Sequence, residues 1–189
     1  MDELETRRGF LLALGGVSAS TWISVSWSNV TAAVEHAATQ QTLEFFRPDE
    51  AADVDAITAQ IIPSGATPGA REAHASHFMD RAFATFLSSQ APAFRLGLAD
   101  FQQSFRKAHP SLTSFAAAAP SEQVIFLTSV EHTPFFEFAR MLTIVGTLCA
   151  PQYGGNYANT GWKMIGFEEK HFFSPPFGYY DRDYNHEKI

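Results

Sequence analysis

The apolar positions of this chain change their rhythm twice. An uncharged run extends from Gly9 to Val34, helical spacing governs residues 46 to about 149, and no period survives beyond. In the middle region apolar residues recur every three or four positions, as on amphipathic helices, and strand-like alternation is almost absent. Pro48-Asp49-Glu50 opens a first helix, because proline suits the first turn and acids suit the positive end of the helix dipole. Ala51, Val54, Ile57 and Ile61 form its buried stripe, and Pro63-Ser64-Gly65 stops it. Thr67-Pro68 is expected to cap a second helix, with Ala70, Ala73, Phe78, Ala82 and Phe86 on one face. A third runs from Ala93 to Ala108, carrying Phe94, Leu98, Phe101 and Phe105 in register. After a Ser/Ala-rich connection, Pro120-Ser121-Glu122 begins a fourth, with Val124, Leu127 and Val130 expected inward. Thr133-Pro134 caps a fifth, apolar almost throughout, that ends near Cys149; such a helix is central in a bundle or covered by a partner. The fold class is therefore all-α, a small bundle of about five helices.

From about residue 150 the pattern predicts a long irregular loop and then an arm. Residues 150–170 are rich in Gly, Asn, Tyr and Trp, and residues 171–189 are aromatic and contain Pro175-Pro176. Phe172, Phe173, Phe177, Tyr179, Tyr180 and Tyr184 exceed what a small domain can bury in its own core. Aromatics on an irregular arm mark a partner interface, or the arm wraps its own helices; the residues leave both open.

The first rhythm is an address. A charged stretch ends at Arg7-Arg8, the uncharged run follows, and Val30-Thr31-Ala32 and Thr31-Ala32-Ala33 resemble small-residue cleavage sites. Thr6-Arg7-Arg8-Gly9-Phe10-Leu11 resembles the twin-arginine export motif through Arg7, Arg8, Phe10 and Leu11, although Leu12 stands where Lys is often seen. Glycine, serine and threonine dilute the run, which makes it a poor membrane anchor despite a length that could span a bilayer. The expected organisation is a signal peptide over 1–33, a linker over 34–45 and a helical domain over 46–189.

Composition narrows the function. With 46% hydrophobic and 14% aromatic residues in 189, the chain is too apolar for disorder. Its formal net charge of −7 falls only to −6 when the leader, with three acids and two bases, is removed; a surface of this sign does not suit a nucleic-acid partner. A single cysteine, Cys149, excludes an intramolecular disulfide and any cysteine-built metal cluster. No nucleophile elbow, dinucleotide or phosphate loop, zinc-protease pair or haem-attachment motif occurs. His74 and His77, at i and i+3 on the expected second helix, share a face and give a metal two ligands, with Glu72 as a third candidate. Glu168-Glu169 reads as a solvated turn, His132 as part of a cap region, and Cys149 as a buried thiol. In the loop, Gly154 and Gly155 permit positive φ and close backbone approach, Asn156 can bond backbone in a turn, and Trp162 offers a broad apolar plate. Lys163 could pair with a partner's carboxylate.

Three stretches together resemble the small subunit, subunit 3, of gluconate 2-dehydrogenase and related FAD-dependent sugar dehydrogenases. They are residues 45–83, FFRPDEAADVDAITAQIIPSGATPGAREAHASHFMDRAF; Tyr153-Gly154-Gly155-Asn156; and Gly161-Trp162-Lys163-Met164-Ile165-Gly166. His74, His77 and Cys149-Ala150-Pro151 depart from that pattern. The resemblance implies a non-catalytic subunit with no cofactor of its own. Its partner would be a separate FAD-containing flavoprotein of the glucose–methanol–choline type, which often passes electrons to a cytochrome c subunit carrying haem c. It also implies that the small subunit escorts the flavoprotein through the twin-arginine translocase to the periplasm. The partner surface expected here is Tyr153, Gly154, Gly155, Asn156, Trp162, Lys163, Phe172, Phe173, Phe177, Tyr179 and Tyr180. The competing readings are a stand-alone periplasmic metal-binding protein or enzyme using His74 and His77, and a helical scaffold tethered to the membrane by an uncleaved leader.

Overall fold

The computed structural model describes residues 42–170. The export motif, the expected cleavage region and the aromatic arm from residue 171 lie outside the described residues. Within them the chain forms six α-helices and no strand: α1 Pro48–Ile61, α2 Ala75–Ala84, α3 Ala91–Ala108, α4 Pro120–Val130, α5 Pro134–Leu148 and α6 Thr160–Ile165. Short 3-10 turns at Phe115–Ala117, Pro151–Tyr153 and Tyr157–Asn159 join them. No described helix is long and apolar enough to cross a membrane.

The all-α expectation holds, and the helix starts show why. Proline occupies the first turn of α1, α3, α4 and α5. Glu50 Oε2 accepts the Arg47 N–H (2.9 Å) and Glu122 Oε2 the Ala119 N–H (3.1 Å), so the first-turn acids of α1 and α4 satisfy backbone donors just before each helix. Thr133 Oγ1 accepts the Phe136 N–H (3.3 Å), the N-cap expected from Thr133-Pro134.

The core is dominated by phenylalanine. Phe46, Phe83, Phe94, Phe135 and Phe138 pack at ring separations of 4.5 to 6.2 Å, and Phe101, Phe105, Phe115 and Phe126 at 5.1 to 6.3 Å. A fully buried Phe is worth roughly 1.5–3 kcal/mol of transfer free energy, and favourable ring pairs add about 0.5–1.5 kcal/mol each. α5 runs through the centre and packs most extensively on α2. Gly146 permits that approach, since a Cβ there would sit 2.9 Å from Phe78 Cδ1 and 3.1 Å from the Ala75 carbonyl oxygen.

Buried carboxylates and amides tie the helices to the irregular segments. Asp80, on α2 and 2% exposed, accepts the backbone N–H groups of Glu44 (2.7 Å), Phe45 (3.0 Å) and Phe46 (2.7 Å). Asp53 accepts from Gln102 Nε2 and the Ala116 N–H, both at 2.8 Å. Gln123 accepts from Gln60 Nε2 (2.7 Å) and donates to the Phe115 carbonyl (3.1 Å). Each carboxylate would be costly to bury without these donors.

Three sequence expectations need correction. Thr67-Pro68 does not cap α2. Residues 69–74 form turns closed by Ala70 N–H to Ile62 O (2.9 Å) and Ala75 N–H to Ala70 O (3.0 Å), and α2 begins only at Ala75. Val124 is 49% exposed, because the inward line of α4 runs through Gln123, Phe126 and Leu127; Leu127 is buried as expected, and Gln123 takes the inward place expected for Val124. The segment after residue 150, expected to be loop, contains the single-turn helices and α6, which are too short to show a period.

Candidate functional site

The segment from Cys149 to Trp162 folds back over the C-terminal end of α5. The last carbonyls of a helix have no partner within it and must find one nearby. Here the loop supplies them. The Asn156 N–H donates to Gly146 O (2.8 Å), Asn156 Nδ2 to Cys149 O (2.8 Å), and Trp162 Nε1 to Leu148 O (2.8 Å). The Cys149 N–H takes Val145 O (2.7 Å), and Thr143 and Thr147 return their hydroxyls to Ala139 O (2.7 Å) and Thr143 O (2.8 Å). Asn156 Oδ1 accepts the N–H of Gly161 (2.8 Å) and, at longer range, of Trp162 (3.4 Å). One fully buried side chain thus ties the end of α5 to the start of α6.

The glycines follow from this closeness. A Cβ on Gly155 would overlap the Gly146 carbonyl oxygen, and one on Gly161 would overlap that of Thr147. Gly154 has φ +94°, and a Cβ there would meet the aliphatic stem of buried Arg81, 2.6 Å from Cδ.

These contacts sort the expected partner surface. Gly155 and Asn156 lie buried inside this chain: Asn156 has 0% exposure because its amide is engaged with Cys149 and Gly161. Gly154 is half-buried over Arg81, and Tyr153 is half-buried with its ring 6.5 Å from that of Phe86. Trp162 is half-buried, its indole N–H engaged and its ring edge-on to Phe167 at 5.1 Å. Lys163 is exposed on α6. Phe172, Phe173, Phe177, Tyr179 and Tyr180 lie outside the described residues.

His74 and His77 do come together, although not on one helix face. His74 is the N-cap of α2, in left-handed conformation (φ 57°), and its ring stacks on His77 at 5.0 Å and on Tyr157 at 4.3 Å. Burial lowers the His74 pKa, and the neighbouring His77 lowers it further; Asp55 opposes them. Glu72 does not join the pair. Its carboxylate accepts from Ser64 Oγ (2.6 Å) and the Gly69 N–H (2.8 Å), contacts that hold its pKa below the usual value. Among the described residues no three His, Cys, Asp or Glu side chains gather as metal ligands. Burial pushes the Cys149 thiol up to about 11, leaving little thiolate at neutral pH.

Sequence reasoning missed Asp53, Asp80 and Tyr157. The two acids carry no local motif, since their partners are backbone or amide groups 34 or more residues away. Tyr157 had a readable signal, an aromatic between Asn156 and Ala158-Asn159 in a turn-forming stretch.

The arrangement defines a class: a small all-helical domain whose glycine- and asparagine-rich segment serves as an internal cap on a central helix. The chain belongs to the gluconate 2-dehydrogenase subunit 3 family, whose model matches residues 48–168. That span begins at the first residue of α1 and takes in the whole cap through α6. No curated protein and no solved structure matches the chain.

Proposed function

We propose that this chain is the non-catalytic small subunit of a periplasmic, FAD-dependent sugar or sugar-acid dehydrogenase complex. In this reading it escorts the catalytic flavoprotein through the twin-arginine translocase and stabilises it afterwards. The observation that carries the reading is the family match over the whole helical domain and its cap. The architecture supports it, because the polar groups of Asn156 and Trp162 are engaged in holding α5 and α6 together, a structural role for the segment that bears the most specific family residues. The Thr6-Arg7-Arg8-Gly9-Phe10-Leu11 leader supplies the route. FAD, and haem c where a cytochrome subunit is present, would belong to the partners.

The test is the double substitution R7K/R8K in cells that also make the flavoprotein subunit. Both chains should remain in the cytoplasm, and dye-linked dehydrogenase activity should leave the periplasm with them. Undiminished periplasmic activity would refute the escort role.

A further inference from the structure

Four non-glycine residues adopt left-handed backbone among the described residues: His74 (φ 57°), Asn156 (45°), Ala158 (53°) and Asn159 (59°). All four meet at one place, where the Tyr157 N–H donates to Ala73 O (3.1 Å) and the Tyr157 ring lies on His74. Capping α5 accounts for Asn156. It does not account for Ala158, which is exposed and has no side-chain hydrogen bond to offset a conformation that a residue with a Cβ rarely adopts. Strain of this kind persists where the surroundings enforce it and clusters at sites of function.

What the strained turn achieves is the placement of one ring. Tyr157 lies almost parallel to His74, at 4.3 Å and 10°, and His74 lies on His77 at 5.0 Å and 29°. The three rings form a short ladder rooted on α2. Its outer end is Tyr157, still 58% exposed. A tyrosine fixed this way loses little further freedom when a partner arrives, the condition under which an aromatic side chain anchors an interface.

We propose that the Tyr157–His74–His77 ladder is a preformed anchor for the catalytic flavoprotein subunit, which places an arginine guanidinium on the outer face of Tyr157. This rests on the reading of the chain as an escort subunit. Three observations favour arginine. The open face of a phenol ring is the negative part of its quadrupole and attracts a planar cation. The chain is acidic overall, with a net charge of −7, so a cationic partner group is complementary. The chain also makes this contact itself, with the Arg95 guanidinium 4.2 Å from the centre of the Phe45 ring. Asp55, which pairs with Arg71 at 2.8 Å, adds a carboxylate whose charge is felt at His74, inside the ladder.

The experiment co-expresses the full chain with its FAD-containing catalytic subunit and measures affinity for wild type, Y157F and Y157L. Y157F keeps the ring face and should bind within about twofold of wild type. Y157L keeps apolar bulk without a π face and should bind about 10- to 30-fold more weakly, while the free subunit, which loses only the stack on His74, stays folded with a melting temperature lowered by no more than a few degrees. In wild type, nitration of Tyr157 by tetranitromethane, read by peptide mass, should be rapid in the free chain and suppressed in the complex. Wild-type affinity in Y157L, or equal nitration of Tyr157 in free and bound chains, would overturn the anchor. Failure of the wild-type chain to bind the flavoprotein at all would overturn the escort reading itself.

Discussion

Replacing Asn156 by alanine should be among the most damaging single changes available to this domain. The substitution leaves two backbone groups without these partners, the part-buried Cys149 carbonyl at 2.8 Å from Nδ2 and the buried Gly161 N–H at 2.8 Å from Oδ1. An orphaned buried donor or acceptor costs about 1–3 kcal/mol. Alanine must also hold φ 45°, which adds about 1 kcal/mol. Some relaxation and water entry will offset part of this, so the expected loss is about 3–5 kcal/mol, a large share of the roughly 5–15 kcal/mol that keeps a domain folded. N156G relieves the backbone cost alone and should be less severe by about 1 kcal/mol. N156D keeps an acceptor for Gly161 but turns an oxygen toward Cys149 O, and should resemble N156A. The assay is urea unfolding followed by far-UV circular dichroism, with hydrogen exchange at the Gly161 amide as the local probe. An N156A protein within about 0.5 kcal/mol of wild type, with the Gly161 amide still protected, would refute the account of this residue as the tie between α5 and α6.

The same geometry gives three further expected outcomes. G161A forces a Cβ into the Thr147 carbonyl, so the cap should detach from α5, and limited proteolysis should cut between residues 150 and 165 far faster than in wild type. The His74 pKa is lowered in the fold, so the folded state disfavours its proton. That contribution to stability is complete above the ordinary value of 6.5 and is lost as pH falls through the lowered folded value; the melting temperature should drop over this interval in wild type and less in H74N. Cys149, with its thiol raised to about 11, should react with iodoacetamide at pH 8 much more slowly in the free native chain than in urea.

The parts of this fold that were legible in the sequence are those decided within a few residues. Thr133-Pro134 announced the start of α5 because a hydroxyl just before a proline can cap only a helix that the proline opens. The stripes of α1 and α3 were readable because those helices present one long face to the core. α2 was misplaced because Ala70 and Ala73, though fully buried, reach the interior from turns and so imitate a helical stripe. Val124 was misplaced because α4 is apolar on adjacent positions, and only its neighbours choose between Gln123 and Val124. The Tyr-Gly-Gly-Asn and Gly-Trp residues stood out by composition, yet their roles were hidden. Whether Asn156 faces inward depends on the left-handed geometry of its own backbone and on where α5 ends, and neither is written in local spacing.

The cap also sets an order of events during synthesis. The central helix cannot satisfy the carbonyls of its final turn with residues already made; Gly146, Leu148 and Cys149 wait for the amides of Asn156 and the indole of Trp162, which leave the ribosome later. The same segment reaches back to Ala73, 84 positions upstream of Tyr157, a contact that can form only after both α2 and α5 have been released. A nascent or truncated chain that stops before residue 162 can therefore collapse around its phenylalanines but cannot close. Completion of the domain is thereby coupled to synthesis of nearly the entire helical region, so that a protease patrolling unfinished chains would find the end of α5 open until the last short helix arrives.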